Sequence, residues 1–122
     1  MIYIVFLPLK LEMSFYERVW AKIKEIPAGK VSTYKEVAIA LNSKAFRAVG
    51  TALKLNKNAP IVPCHRVINS DLDIGNYSGL GGIKKKIELL TKEGVEIKNN
   101  KIDSKYLYKF ENSKMGSGKE LF

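Results

Sequence analysis

The stretch that decides the fold is TYKEVAIALNSKAFRAVGTALKL, residues 33–55. It opens with Thr33 and, three residues later, Glu36, a capping box that predicts the start of a helix. Ser43 follows this helix and is the predicted N-cap of a second helix, which runs to about Leu55. Two short helices joined by so tight a turn predict a helix-turn-helix. The residues expected to face the core are apolar and recur at helical spacing: Val37, Ala38, Leu41, Ala45, Val49, Ala52 and Leu53.

The same stretch carries much of the positive charge of the chain. The 122 residues contain 21 Lys plus Arg and 12 Asp plus Glu, so the formal net charge is +9. An excess of positive charge on a helix-turn-helix favours contact with the phosphates of DNA. The alternative is that the Lys and Arg side chains only occupy solvated helix faces. Between residues 30 and 57 a single acid, Glu36, stands against six cations: Lys30, Lys35, Lys44, Arg47, Lys54 and Lys57.

The flanking segments predict further short elements. Ser14 and Glu17 form another capping box, at the start of a helix that extends from Phe15 to about Glu25. A small hairpin is predicted around Asn99-Asn100. A last helix is indicated by apolar residues at helical spacing and by a terminating glycine: Ile83, Ile87, Leu90 and Gly94.

At this length a single domain is expected, and we place it at residues 14–98. Residues 1–13 form an apolar N-terminal extension, too short and too interrupted by Pro8 to cross a membrane. We interpret it as a strand or an appendage, with a secretory signal as the less favoured alternative. Residues 99–122 form a C-terminal extension that is expected to be partly flexible, with loose order from Lys105 onward.

Cys64 is the only cysteine in the chain, and it is followed directly by His65, the only histidine. A lone cysteine excludes scaffolds held by internal disulfides. A histidine beside a thiol is the usual device for making a thiolate nucleophile, and Pro60 and Pro63 would hold this segment as a buried, rigid loop or short edge strand. The alternative is a buried cysteine that acts as a small apolar residue. One Cys and one His cannot supply the ligands that zinc needs.

Pro63-Cys64-His65-Arg66-Val67 resembles the active-site signature of the O6-alkylguanine-DNA alkyltransferases, which are methylated-DNA-protein-cysteine methyltransferases. The resemblance covers about residues 14–97. It continues in the order of that family through four further segments: Gly29-Lys-Val-Ser-Thr-Tyr34, Arg47-Ala-Val-Gly50, Gly75-Asn-Tyr-Ser78 and Leu89-Leu-Thr-Lys-Glu-Gly94.

The resemblance implies a winged helix-turn-helix-like domain, mainly α with a small β wing. Such a domain binds double-stranded DNA through the minor groove and flips the O6-alkylated guanine into a pocket beside Cys64. The implied activity is DNA repair by a single-turnover transferase that moves the alkyl group to the cysteine, with no cofactor and no metal. The protein is expected to be a monomer in the cytoplasm or on the nucleoid, without a membrane partner.

Individual roles follow from the resemblance at the matching positions. His65 would draw the thiol proton through a water, and Glu93 would orient its imidazole. Tyr34 would donate to the departing purine, and Asn56 would brace the turn before the active-site segment. Arg47 would enter the base stack in place of the flipped nucleotide. The positions expected to contact DNA, including the loop that closes over the base, are Lys44, Arg47, Ala48, Gly50, Lys54, Tyr77, Ser78 and Gly79.

The sequence also departs from the family pattern. Only residues 1–13 precede the first helix, so the N-terminal domain of most members is expected to be absent or vestigial. Asn56 is followed by Lys57, where the family commonly has proline. Counting forward from the cysteine and back from Glu93 gives two registers, which predicts an insertion near Gly79-Leu80.

Three alternative functions remain open. The alkyltransferase-like proteins have only this domain and sense lesions without transfer, typically with tryptophan in place of the cysteine. A plain helix-turn-helix regulator is the second alternative. A thiol hydrolase is the third, although no separate oxyanion-stabilising motif is evident. The presence of Cys64 favours transfer.

Overall fold

A computed structural model of the chain describes residues 14–110. Its helices are α1 (Phe15–Ile23), α2 (Tyr34–Ala40), α3 (Phe46–Lys54) and α4 (Gly82–Lys92). Its strands have two residues each: β1 (Ser32–Thr33), β2 (Val67–Ile68), β3 (Ile97–Lys98) and β4 (Lys101–Ile102). Short 3-10 turns span Cys64–Arg66 and Ser104–Tyr106. Strands β1 and β2 pair in parallel, and β3 and β4 form the predicted antiparallel hairpin. The prediction of a mainly α fold with a small β part is confirmed.

Helix α1 begins with the predicted capping box. The Ser14 hydroxyl accepts from the Glu17 amide at 3.1 Å, and the Glu17 carboxylate accepts from the Ser14 amide at 2.9 Å. The helix ends at Ile23, before the predicted end at Glu25, because the Glu25 and Ile26 amides bond to carbonyls three residues back in a tight final turn. Ile26 nevertheless stays fully buried.

Helices α2 and α3 form the predicted helix-turn-helix, and the Thr33 hydroxyl caps α2 by accepting from the Glu36 amide at 3.1 Å. The prediction that Ser43 caps α3 is wrong. Its hydroxyl accepts from the Ala45 amide only two residues on, so it closes the turn, and α3 starts at Phe46 without a side-chain cap. Ala45, predicted to face the core, is exposed at this helix start.

Two apolar clusters meet at the segment that carries the cysteine. The first packs α1, α2 and α3 together and includes Cys64 and Val67. The second lies under α4 and the β3–β4 hairpin and includes Ile68 and Leu90. The 3-10 turn and β2 therefore join the two clusters, and burial on both sides holds the backbone next to the thiol in place.

The C-terminal segment is better packed than predicted. The Tyr108 amide donates to the Val31 carbonyl at 2.8 Å, and the Val31 amide donates to the Tyr106 carbonyl at 2.9 Å. Phe110 is fully buried in the first cluster. The expectation of loose order is therefore wrong for residues 105–110, because backbone pairing and an aromatic anchor tie them to the domain. The predictions for residues 1–13 and 111–122 lie outside the described residues.

Candidate active site around Cys64

Cys64 opens the 3-10 turn before β2 and contributes to the wall of an open cleft of about 750 Å³. Helix α3 forms one side of this cleft, and the loop before α4 forms the other. The thiol-bearing residue is only 5% exposed, so reactants reach it through the cleft. Six of the residues predicted from the sequence line the same cleft: Tyr34, Arg47, Gly50, Lys54, Tyr77 and Ser78.

Behind the cysteine, three charged or titratable side chains form one network. His65 is 1% exposed, and its Nε2 lies 2.9 Å from Glu93 Oε2. Arg66 donates from Nε to Oε1 at 3.0 Å and from Nη2 to Oε2 at 2.7 Å, a bidentate pair with the same carboxylate. Its Nη1 also donates to the Ile26 carbonyl at 2.7 Å, just beyond α1. Glu93 is thus fixed at the end of α4 by groups from the active-site turn.

The protonation states of this network follow from burial and contacts. Desolvation alone would raise the pKa of Glu93, but the hydrogen bonds from Arg66 and His65 outweigh it and hold that pKa below its usual value. Burial lowers the pKa of His65, and Glu93 only partly opposes this effect. At neutral pH a neutral imidazole therefore faces an ionised carboxylate.

The geometry also assigns the two ring nitrogens of His65. Nε2 faces the carboxylate and is inferred to carry the proton. Nδ1 is buried and has no hydrogen-bond partner among residues 14–110. The lone pair of Nδ1 is therefore available to accept a proton, as a general base requires.

The Cys64 thiol is protonated at rest. Burial raises its pKa, whereas a hydrogen bond with the Asn56 side chain and the charge of Lys86 act in the opposite direction. Asn56 follows α3 and also joins two parts of the chain: its Nδ2 donates to the Val62 carbonyl at 2.8 Å and its Oδ1 accepts from the Asn58 amide at 2.9 Å. This side chain therefore spans the turn between α3 and the active-site segment.

Lys86 is a residue that the sequence analysis did not assign to the site. It is fully buried, and its Nζ donates to the Val67 carbonyl at 2.9 Å and the Asn76 carbonyl at 3.0 Å. Burial lowers its pKa to about 8, and the nearby Cys64 opposes that effect. The signal was its position four residues before Leu90, which places both residues on the inward stripe of α4. Ile83, predicted to be inward, is instead 43% exposed and lines the cleft.

The structure does not bring all the predicted DNA-contacting positions to the cleft. Lys44 lies exposed in the turn before α3, and Ala48 is half-buried in that helix; neither lines the cleft. Gly79 lies against the Tyr77 ring, where an added Cβ would stand 2.5 Å from a ring carbon. Lys35 lines a different cleft, so the cations of the helix-turn-helix do not all share one face.

Within residues 14–110 no group of three potential metal ligands occurs, and no helix has the length and apolarity needed to span a membrane.

Residues 14–95 match the family described as the DNA-binding domain of 6-O-methylguanine DNA methyltransferase. The chain belongs to this family. Among curated members, it is 41% identical over 101 residues to a bifunctional methyltransferase/endonuclease of Picrophilus torridus, covering 82% of this chain and 33% of the relative. It is 44% identical over 90 residues to the methylated-DNA–protein-cysteine methyltransferase of Rattus norvegicus, covering 72% of this chain and 43% of the relative. The chain thus spans less than half the length of these two methyltransferase relatives.

Solved structures similar to this chain agree with the helix-turn-helix architecture. Atl1 of S. pombe, in complex with damaged DNA containing O6-carboxymethylguanine, matches with a TM-score of 0.70 at 37% identity, over 79% of this chain and 95% of that one. The O6-methylguanine-DNA methyltransferase of Pyrococcus kodakaraensis matches with a TM-score of 0.62 at 44% identity, over 69% of this chain and 48% of that one.

Proposed function

We propose that this protein repairs DNA by transferring an alkyl group from O6-alkylguanine in a duplex to Cys64. The observation that carries the proposal is a single thiol in the wall of an open, cation-lined cleft, backed by a buried neutral imidazole with a free nitrogen. A regulator that only binds DNA has no need of such a base beside a thiol. Family membership supports the same conclusion.

The first step in the proposed mechanism is proton removal from the thiol. His65 Nδ1 has no hydrogen-bond partner among residues 14–110, and in the proposed step it receives the thiol proton through a water. The resulting imidazolium is stabilised by Glu93, which is already ionised and held by Arg66. Lys86 and Asn56 favour the thiolate that remains.

The second step is displacement at the alkyl carbon. The Cys64 thiolate attacks this carbon, the S–C bond forms, and the bond from carbon to O6 of guanine breaks with its electron pair on the purine. Tyr34 lines the same cleft, and burial raises the pKa of its phenol, so it is available to donate to the leaving base. The thioether product has no route back to the thiol, which makes each molecule act once.

The DNA side of the proposal depends on the exposed cations at the cleft. Arg47 and Lys54 lie on α3 and line the opening through which a flipped base would enter. Flipping costs a few kcal/mol of stacking, which phosphate contacts and an inserted side chain offset. A thiol acceptor must stay reduced, which favours the cytoplasm or the nucleoid as its compartment.

The test is an intact-mass measurement after incubation with a duplex that contains O6-methylguanine. The expected result is the gain of one methyl group on the peptide that carries Cys64. Cys64→Ala should abolish this gain and retain DNA binding, because the side chain is replaced without touching the cations of the cleft.

The second candidate is a lesion sensor that binds the alkylated base without transfer. The observation that favours this second candidate is the match to Atl1, which covers 95% of that chain. Tight and lesion-selective binding with no change in mass would move the assignment to this class. Absence of both binding and mass gain would contradict both candidates.

A further inference from the structure

The loop between Ser78 and Gly82 carries a leucine that none of the steps above uses. Leu80 is 96% exposed, the highest value among the exposed large apolar residues of the described chain. The residues on both ends of this loop, Ser78 and Gly82, line the cleft that contains Cys64. Leu80 therefore lies at the rim of the cleft, in the segment where the sequence predicts an insertion relative to the family.

The backbone of this loop is specified by its glycines. The Gly82 amide donates to the Gly79 carbonyl at 3.2 Å, which closes a four-residue turn with Leu80 at its second position. Gly81, at the third position, has φ 96° and ψ −8°, the values that a type II turn demands and that side chains disfavour. An added Cβ at Gly79 would collide with the Tyr77 ring. The turn thus has a defined shape with its single apolar side chain at the corner.

The charge around the rim indicates what covers this leucine. Arg47 and Lys54 line the cleft, none of the residues that line it is acidic, and Lys84 is exposed at the start of α4. A polyanion complements this surface better than a protein with a mixed surface does. Duplex DNA offers phosphates to the cations and, between its base steps, apolar surface to a leucine.

We propose that Leu80 is an apolar DNA contact that packs against the nucleotides beside the flipped base. The proposal rests on the DNA-binding function proposed above. In it the flipped base enters between two rim elements, Arg47 on α3 and Leu80 on the turn before α4. A leucine of this exposure gains most of its burial from the partner, so truncation is expected to weaken DNA binding about tenfold.

The experiment compares Leu80→Ala and Leu80→Lys with wild type, with Ile61→Ala as the matched control. Ile61 is also apolar and 77% exposed, but it does not line the cleft. Affinity is measured for a duplex with O6-methylguanine, and single-turnover transfer is measured on this duplex and on the free alkylated base. Both Leu80 variants are expected to weaken duplex binding, to slow transfer on the duplex more than on the free base, and to keep the thermal midpoint of wild type.

The outcomes separate this proposal from the one on which it rests. Wild-type affinity in both Leu80 variants would overturn the contact and leave the transfer function intact. Tighter binding by Leu80→Lys would also overturn it, because charge alone would then govern the rim. Equal loss on duplex and free base would assign Leu80 to the shape of the pocket instead. If wild type binds the duplex without transfer, the affinity measurements still decide the role of Leu80.

Discussion

Behind the Cys64 thiol, His65, Arg66 and Glu93 share hydrogen bonds of 2.7 to 3.0 Å in a largely buried network, whereas in front of it Arg47 and Lys54 stand exposed and make no ion pair within residues 14–110. The two regions use charge differently. Little water screens the buried groups, so each depends strongly on its partner. The exposed cations remain solvated until a polyanion arrives. The buried side should therefore control stability and thiol chemistry, and the open side should control DNA affinity.

The largest effect is expected from Glu93→Gln. This change leaves the Arg66 guanidinium, which is 17% exposed, without its carboxylate and removes the anchor of His65. We expect the free energy of unfolding to fall by about 2–4 kcal/mol and transfer to slow by a factor of about 10². Chemical denaturation and single-turnover kinetics would measure the two effects.

The matched control is Glu88→Gln on the same helix. Glu88 is 51% exposed and pairs with Lys85 and Lys92 at 3.6 and 3.9 Å, so its loss should change stability by less than about 0.5 kcal/mol.

The contribution of Glu93 to stability also depends on pH. Its folded-state pKa lies below the usual 4.5, so the stabilisation is complete above that value and disappears as the pH falls through the folded-state pKa. Equal effects of the two variants would contradict the importance of the buried network.

A smaller effect is expected from Lys86→Met, which keeps the volume of the side chain but removes its charge. Lys86 lowers the pKa of the Cys64 thiol, so its removal should raise that pKa and shift the reaction of the thiol with iodoacetamide to higher pH. At neutral pH we expect about a tenfold loss in rate. Lys84→Met, at an exposed position of the same helix, is the control and should keep the wild-type profile. An unshifted profile in Lys86→Met would show that the lysine acts only through the carbonyls it binds.

The smallest effect belongs to the open side. Lys54→Gln should leave the thermal midpoint unchanged and reduce the dependence of DNA affinity on salt, with a slope of log affinity against log salt lower by about 0.9. Binding isotherms at several salt concentrations would measure it. Lys24→Gln, exposed at the end of α1 and outside the cleft, is the control. A slope equal to that of wild type would remove Lys54 from the phosphate contacts.

Local pattern predicted the helix-turn-helix well and failed where long-range packing decides the role of a residue. Capping boxes and helical spacing located α1, α2 and α3 to within a few residues, because those signals act over three or four positions. The same rules misassigned Ser43, whose hydroxyl took a nearer partner than the α3 backbone. They also predicted loose order from Lys105 onward, whereas residues 105–110 are held by pairing with Val31 and by the burial of Phe110, which depend on residues far away in the chain.

The residues of the candidate site also divide into those that local sequence identifies and those whose role depends on long-range packing. The adjacent Cys64 and His65, with the flanking prolines, are visible in the sequence because the signature is continuous. Arg66 lay within that signature, yet nothing local indicated that it would clamp Glu93, a residue 27 positions away. Lys86 received no role from the sequence, although it fills an inward position on α4 and donates to two carbonyls.

The sequence by itself determined the order of short helices, the basic helix-turn-helix and the single thiol with its neighbouring histidine, because each of these depends on residues within about one helical turn. Only the tertiary structure decided which charges are buried and paired. The reason is physical: the solvation of a charge depends on everything packed around it, so Arg66, Lys86 and Glu93 acquire their roles only when α4 and the active-site turn come together.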